Sequence, residues 1–293
     1  MRATHRLREL LEQPDIIVAP GAFGPLAARV IEQHSFSAMY MTGGGTALAR
    51  YGLADMGLVT MTEMVESVAA IAEITDLPII ADADTGYGNE LNVARTVKLY
   101  ERAGAAALHI EDQDFPKKCG AFSGKKLIAL DEMATRIRVA LDARSDEDFQ
   151  IFARCDAMTV SGLDDALRRA EAYVSAGANG LFIEQLRAMS DIEAVGRQFD
   201  VPLIFSMAST GSTPFLTASE VERLGYKIMI FPNFLTLAAI HAMTNVASEI
   251  KRTGSAAGVL DMCASFETFL TLGGLAEVQR FEQKYGIDST RVV

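Results

Sequence analysis

Eight short β-rich runs recur along the chain with helical patterns between them, and this alternation limits the possible folds more than any other feature. The runs are Ile16 to Ala19, Ala38 to Thr42, Leu77 to Asp82, Ala107 to Glu111, Ile151 to Arg154, Gly180 to Glu184, Leu203 to Ser206 and Ile228 to Phe231. Amphipathic stretches separate them, among them Met61 to Ile74, Asn92 to Ala103, Met133 to Leu141, Leu163 to Ala176 and Ser190 to Gln198. Two of these run into an Ala-Gly pair that closes a helix before a strand. Strands alternating with helices make a parallel sheet, and eight such units within about 250 residues predict a closed (β/α)8 barrel of the TIM type over an open doubly wound sheet. No Gly-, Pro- or Ser-rich linker divides the 293 residues, so one domain, 1–293, is expected, with a C-terminal helical extension from about 235. Leu235 to Ile250 and Leu260 to Leu272 carry helical apolar spacing with little barrel left to cover. An apolar helix needs a partner surface, which points to oligomerisation through this end; packing against its own barrel is the alternative.

Charge narrows the partners. With 27 Lys and Arg against 38 Asp and Glu, the formal net charge is -11, which argues against nucleic acid or an anionic membrane surface, since both select basic patches. No run of about 18 apolar residues and no basic-then-apolar leader is present, so a soluble cytoplasmic protein is expected. Cys119, Cys155 and Cys263 are too few and too irregularly spaced for a disulfide framework or a zinc site.

In a barrel of this type the active site lies at the carboxyl ends of the strands. There the sequence places Thr42-Gly43-Gly44-Gly45, Asp82 and Asp84, Glu111-Asp112-Gln113, Arg154-Cys155-Asp156, Glu184 and Ser206. Asp82 and Asp84, two apart at a strand end, point the same way and suit a hard divalent cation such as Mg²⁺ that keeps several waters; a polar loop with one Asp capping a helix is the alternative. Several strand-end carboxylates beside an Arg favour function, because buried like charges are costly without a compensating cation. The glycine run offers consecutive backbone N–H groups to a carboxylate or phosphate, although a tight turn accounts for it equally well. Asp55, in a loop on the same face, either reaches the metal or caps the helix near Thr60.

Asp112 to Leu130 is a polar insertion after the fourth strand, and a loop that long suits a lid. It carries Lys117-Lys118-Cys119-Gly120, with Lys125 and Lys126 beyond. Charge proximity is expected to depress the Cys119 pKa, giving a reactive thiolate or an efficient proton donor. No catalytic histidine stands out among His5, His34, His109 and His241, so Ser-His-Asp catalysis and a zinc-histidine cluster are poor readings.

The glycine turn, the paired aspartates, Glu111-Asp112-Gln113 and Lys117-Lys118-Cys119-Gly120, in this order, closely resemble the isocitrate lyase and phosphoenolpyruvate mutase superfamily, especially its small methylisocitrate-lyase-like members. The resemblance runs from about Ile16 to at least Phe234. It implies a (β/α)8 barrel, a homotetramer with a late helix exchanged between subunits, and Mg²⁺-dependent chemistry on 2-oxo or 2-hydroxy acids, with Mn²⁺ as a substitute. Carried over residue by residue, it makes Asp82 and Asp84 the metal-site carboxylates, supported by Glu111 and Asp55. Substrate would be held by Thr42, Gly43, Gly44, Gly45, Arg154 and Ser206. Cys119, Lys117, Arg154 and Glu184 would form the catalytic group, with Cys119 as acid/base and Glu184 orienting nearby positive groups.

Two departures fall at the substrate end. Ala121 stands where the family has histidine after Lys-Lys-Cys-Gly, and Ser206-Met207-Ala208 replaces the Asn-x-Thr or Asn-x-Ser of the lyases. Losing those donors would leave a carboxylate of isocitrate or methylisocitrate poorly paired. Phe205, Met207 and Phe122 suggest a less polar pocket, suited to a substituted malate. The expected function is a Mg²⁺-dependent carbon-carbon lyase that acts on a 2-hydroxy di- or tricarboxylic acid and releases a 2-oxo acid such as pyruvate. An oxaloacetate-type decarboxylase, a phosphonomutase and a non-catalytic oxoacid-binding protein are the alternatives.

Overall fold

The computed structural model describes residues 1–207, 209, 210 and 212–287. Eight parallel strands close into a barrel in sequence order: β1 (Ile17–Ala22), β2 (Met39–Met41), β3 (Ile79–Asp82), β4 (Ala107–Glu111), β5 (Gln150–Cys155), β6 (Gly180–Ile183), β7 (Leu203–Ser206) and β8 (Ile228–Phe231). β8 closes onto β1 through the register Ile17 with Ile228 to Pro20 with Phe231. The expected (β/α)8 architecture is therefore the one the chain adopts.

The helices are α1 (Ala3–Glu12), α2 (Pro25–Gln33), α3 (Gly43–Tyr51), α4 (Met61–Ala72), α5 (Glu90–Arg102), α6 (Leu130–Ala143), α7 (Leu163–Ser175), α8 (Met189–Gln198), α9 (Ala218–Arg223), α10 (Phe234–Thr253), α11 (Phe266–Leu272) and α12 (Leu275–Tyr285). Their starts are written locally. Thr60, Asn89 and Thr217 each close a capping box, accepting from the backbone N–H three residues on, while the side chain there bonds back to the cap. α1 crosses the amino-terminal mouth of the barrel: Leu7 joins the interior cluster, and Thr4 donates to Asp146 at 2.7 Å.

Period-two alternation decides which side chains reach the site. On each strand one parity fills the barrel interior, as with Ile80, Phe152, Phe182, Ile204 and Ile230, and the other packs outward under the helices, as with Ala81, Ala153, Leu181, Phe205 and Met229. Extending the inward parity toward the carboxyl ends leads from Ile80 to Asp82, Phe152 to Arg154, Phe182 to Glu184 and Ile204 to Ser206. The site is thus the top layer of the barrel interior. Gly180 makes room below it, since a Cβ there would lie 2.4 Å from a carbon of the Phe152 ring and from the Pro202 carbonyl oxygen.

The chain divides into two compact units, 1–236 and 237–293. The division falls close to position 235, where the sequence pattern ends the barrel and begins the extension. In the second unit, helical spacing over Leu260 to Leu272 resolves into a short 3-10 turn, Leu260–Met262, and α11, because Ser265 caps a new helix by accepting from Thr268 N–H. Phe266, Phe269 and Phe281 in this unit are exposed.

Candidate functional site

A cleft opens at the carboxyl end of the barrel. It gathers Thr42, Gly44, Asp55, Asp82, Cys119, Arg154, Glu184 and Ser206 from the sequence-predicted set. Asp84, Glu111 and Lys117 belong to the same cluster but stand behind its wall, each nearly or fully buried. Gly43 and Gly45 are turned inward. The glycine run is the first turn of α3, not a free turn: Thr42 is the N-cap, and Gly45 N–H donates to its Oγ1 at 3.2 Å. Gly43 N–H lies 3.3 Å from Asp82 Oδ2, and a Cβ at Gly43 would meet that oxygen at 2.5 Å. Gly44 N–H is left for a ligand, with no protein acceptor among the described residues.

The acidic cluster is tied together by short links. Asp84 N–H donates to Asp82 Oδ1 at 3.1 Å, and Glu111 N–H to the Asp84 carbonyl at 2.8 Å. Asp84 has a φ of 46°, a left-handed conformation that costs a non-glycine residue roughly 1 to 3 kcal/mol and turns its carboxylate toward the cluster. The Lys117 ammonium pairs with Asp84 at 2.7 Å and with Asp55. Asp55 therefore serves the loop and not the capping role, which Glu63 and Thr60 fill between themselves. Burial opposes the charge on Lys117, but Asp84, Glu111 and Asp55 outweigh it and raise its pKa. Burial raises Asp84 to about 6, with Lys117 pulling the other way and Asp82 adding repulsion. Glu111 is pushed up strongly by burial against the pull of Arg154. Asp82 moves the other way, because His109, Lys117 and Arg154 together outweigh its burial.

The donors fit a hydrated hard cation. Both Glu111 carboxylate oxygens are buried and accept no hydrogen bond from the described residues, Arg154 Nε reaching Oε2 only as an ion-pair contact at 3.2 Å. Among the described residues no three His, Cys, Asp or Glu side chains converge tightly enough to cage an ion by themselves. Mg²⁺ does not need such a cage, since it takes one or two carboxylates and retains waters.

Cys119 sits in the cleft with its N–H donating to the Asp55 carbonyl at 3.0 Å. Its expected pKa depression is overturned: burial, and after it the Asp55 charge, push the thiol up to about 11. The neighbouring lysines do not supply the charge that was anticipated, because Lys117 is neutralised by carboxylates and Lys125 is buried against Asp156 at 2.8 Å. The Asp112 to Leu130 insertion is held to the barrel where Lys125 donates to Asp156 at 2.8 Å, and it is braced within itself where Gln113 accepts from Lys118 N–H at 3.0 Å and donates to the Lys118 carbonyl at 2.9 Å.

The apolar expectation for the substrate end is also overturned. Phe205 and Met207 carry the outward parity of β7 and lie in the core under the helices, while Phe122 is half exposed and away from the cleft. The far wall is made instead by Gln185, Ser206, Ser209, Thr210 and Asn233, with Ala121, Phe182 and Pro232 also lining the cleft. Ala208, part of the Ser206-Met207-Ala208 departure, lies outside the described residues. Ala121 lines the cleft.

Sequence reasoning missed Tyr40 and the roles of Asp156 and His109. Tyr40 lines the cleft, with its hydroxyl 3.0 Å from His109 Nε2 and 3.4 Å from Asp82 Oδ2. His109 is buried, and burial lowers its pKa to about 4, so at neutral pH it is an uncharged prop. Asp156 accepts from Arg154 Nε at 2.9 Å and fixes the guanidinium. Inward parity on β2 and β4 was the available signal for Tyr40 and His109.

The family model for phosphoenolpyruvate phosphomutase matches residues 7–251. The chain is 41% identical to 2,3-dimethylmalate lyase of Eubacterium barkeri over 285 residues, covering 97% of this chain and 99% of the relative. It is 39% identical to 2-methylisocitrate lyase of Aeropyrum pernix, with 94% and 88% covered. A solved 2,3-dimethylmalate lyase structure superposes with a TM-score of 0.94 at 36% identity, covering 100% and 98% of the two chains. A phosphonopyruvate hydrolase solved with oxalate and Mg²⁺ superposes with a TM-score of 0.88 at 31% identity, covering 97% and 99%.

Proposed function

This chain belongs to the phosphoenolpyruvate mutase and isocitrate lyase superfamily as a carbon-carbon lyase, and from that premise we propose that it cleaves an alkyl-substituted malate to pyruvate, or a close 2-oxo acid, and a second carboxylic acid. The observation that carries this reading is Cys119, a thiol whose pKa burial pushes up to about 11, in the same cleft as Arg154, Asp82 and Gly44.

A 2-hydroxy acid carboxylate placed against Gly44 N–H and the Arg154 guanidinium has its hydroxyl beside the acidic cluster. Asp82 and Asp84, with Glu111 and Asp55 behind or beside them, would hold Mg²⁺, which polarises the hydroxyl and 2-oxo oxygens when bound. The hydroxyl proton passes to one of the carboxylates lining the cleft, Asp55, Asp82 or Glu184. The O–H electron pair becomes the second bond of the new carbonyl, and the adjacent C–C bond breaks. Its electrons remain on the carbon next to the departing carboxylate. The Cys119 thiol protonates that carbon, and a thiol whose pKa is raised to about 11 holds its proton throughout the neutral range.

The far wall favours a dicarboxylate over a tricarboxylate. Arg154 is the only Lys or Arg among the described residues that line the cleft, so a third carboxylate would be held by neutral donors beside Glu184, at a cost of roughly several kcal/mol for an unpaired buried charge. Two signs of the superfamily extend the proposal beyond one chain: a homotetramer, and exchange of a late helix between subunits.

The test is 2-oxo acid release from a panel of 2-alkylmalates and 2-methylisocitrate, with Mg²⁺ and with EDTA. Alkylmalate cleavage abolished by EDTA supports the reading. Carbon dioxide release from oxaloacetate without alkylmalate cleavage would replace it with decarboxylation.

A further inference from the structure

Lys125 and Asp156 do not themselves line the cleft, yet both are buried charges: the Lys125 side chain is 1% exposed and the Asp156 side chain 0%. A desolvated pair of this kind is weak evidence for stability, so its connections carry the argument. Lys125 Nζ donates to Asp156 Oδ1 at 2.8 Å and to the Gly120 carbonyl at 2.7 Å, directly after Cys119. Asp156 Oδ2 accepts from Arg154 Nε at 2.9 Å, and its Oδ1 lies 3.3 Å from Arg154 Nη2. The carboxylate is therefore shared between the residue that would grip the oxoacid and the loop that carries the thiol. Arg154 and Lys125 more than offset its burial and hold its pKa at about 2.

The joint is anchored from behind. Asp156 N–H donates to Asp112 Oδ1 at 2.8 Å, and Asp112 Oδ2 accepts from Tyr173 at 2.6 Å and from Arg169 at 3.3 Å. In front, Gly120 presses on the same assembly: a Cβ there would meet Arg154 Nη2 and Glu184 Cγ, each at 2.8 Å. Only a glycine seats the loop this close.

We propose that Lys125 and Asp156 are positioning residues that join the seat of the Cys119 loop to the orientation of Arg154. The loop docks through Lys125, Arg154 is aimed through Asp156, and one carboxylate serves both. This rests on Cys119 being the proton donor of the lyase reading, but its test does not need turnover.

The experiment uses the full chain with Mg²⁺. Iodoacetamide alkylation of Cys119 is followed by peptide mass spectrometry, which separates it from Cys155 and Cys263, and oxalate affinity is measured by calorimetry. Lys125→Met should speed Cys119 alkylation at least about tenfold while oxalate affinity stays within about threefold, because Arg154 keeps both contacts to Asp156. Removing a nearby cation by itself disfavours thiolate and would slow alkylation, so acceleration reports loop release. Asp156→Asn should move both readouts, each by about tenfold, and Lys125→Arg should stay near the wild type. Cys119 alkylation within about twofold of wild type in Lys125→Met overturns the joint, as does an equal loss of oxalate affinity in both variants. Should Lys125→Met not fold, Gly120→Ala is the substitute: its methyl group unseats the loop with Lys125 intact, and unchanged alkylation there overturns the proposal equally. Absence of alkylmalate cleavage in the wild type with these shifts intact would remove the lyase reading alone.

Discussion

A thiol pushed up to about 11 and a carboxyl pushed up to about 6 make opposite statements about pH. As the proposed acid, Cys119 would work only while protonated, so its own titration should impose no loss of rate between neutral pH and about 10. A pH-rate profile with an alkaline fall near 8.5, absent in a Cys119→Ser background assayed for residual turnover, would show an ordinary thiol instead. Cys119→Ser itself should lower kcat by about a thousandfold and leave oxalate affinity within about threefold, because the thiol is needed for proton delivery and not for grip. Asp84 behaves differently. Its folded pKa lies above its ordinary 3.8, so the metal-free fold binds a proton more tightly than the unfolded chain does. That contribution to stability is complete below about 4 and is lost as pH rises toward 6. A cation competes for the same carboxylate, so Mg²⁺ affinity should tighten as pH rises through about 6, with proton release seen by calorimetry in buffers of different ionisation enthalpy. PH-independent affinity would remove Asp84 from the metal site.

At the scale of elements, strand parity separates residues that neighbour one another in sequence. Ser206 follows the inward parity of Ile204 and lines the cleft, whereas Met207 follows Phe205 into the core under the helices. Ser206→Ala should therefore raise KM several-fold, roughly 1 kcal/mol of lost hydrogen bonding, with little change in melting temperature. Met207→Ala should cost roughly 2 to 5 kcal/mol of stability and leave KM alone. Reversed outcomes in steady-state kinetics and thermal denaturation would mean the register of β7 is misassigned. The same parity explains what could be read in advance. The eight strands, the acidic ends of β3 and β4, Arg154 and Cys119 were legible because their composition and spacing are local. The orientation of Phe205 and Met207 was legible too, since Ile204 faces inward and period-two alternation turns both of them outward. The raised pKa of Cys119 was not available, because it comes from burial of the thiol and from the Asp55 charge, while Lys117 and Lys125, expected to depress it, are taken up by Asp55 and Asp156, 62 and 31 residues away. α3 was hidden for a related reason: three glycines read as a turn, yet Thr42 caps them into a helix.

For the whole molecule, the barrel alone builds the described site, since every residue lining the cleft lies within 1–236. Exposed Phe266, Phe269 and Phe281 leave the second unit with apolar surface that a monomer would present to water. Sedimentation should therefore report association, a tetramer under the proposed assembly, and Phe266→Ser with Phe269→Ser should shift it to smaller species. A monomeric wild type would contradict the proposed assembly without touching the chemistry.

The proposed cleavage ends with a proton moving from Cys119 to carbon, and that step leaves a mark in the product. Run in D₂O with Mg²⁺ and a 2-alkylmalate, the wild type should release the 2-oxo acid together with a second acid carrying one deuterium on the carbon next to its carboxylate, and Cys119→Ser should release neither at a comparable rate. An intact alkylmalate, or wild-type turnover retained in Cys119→Ser, would contradict the account.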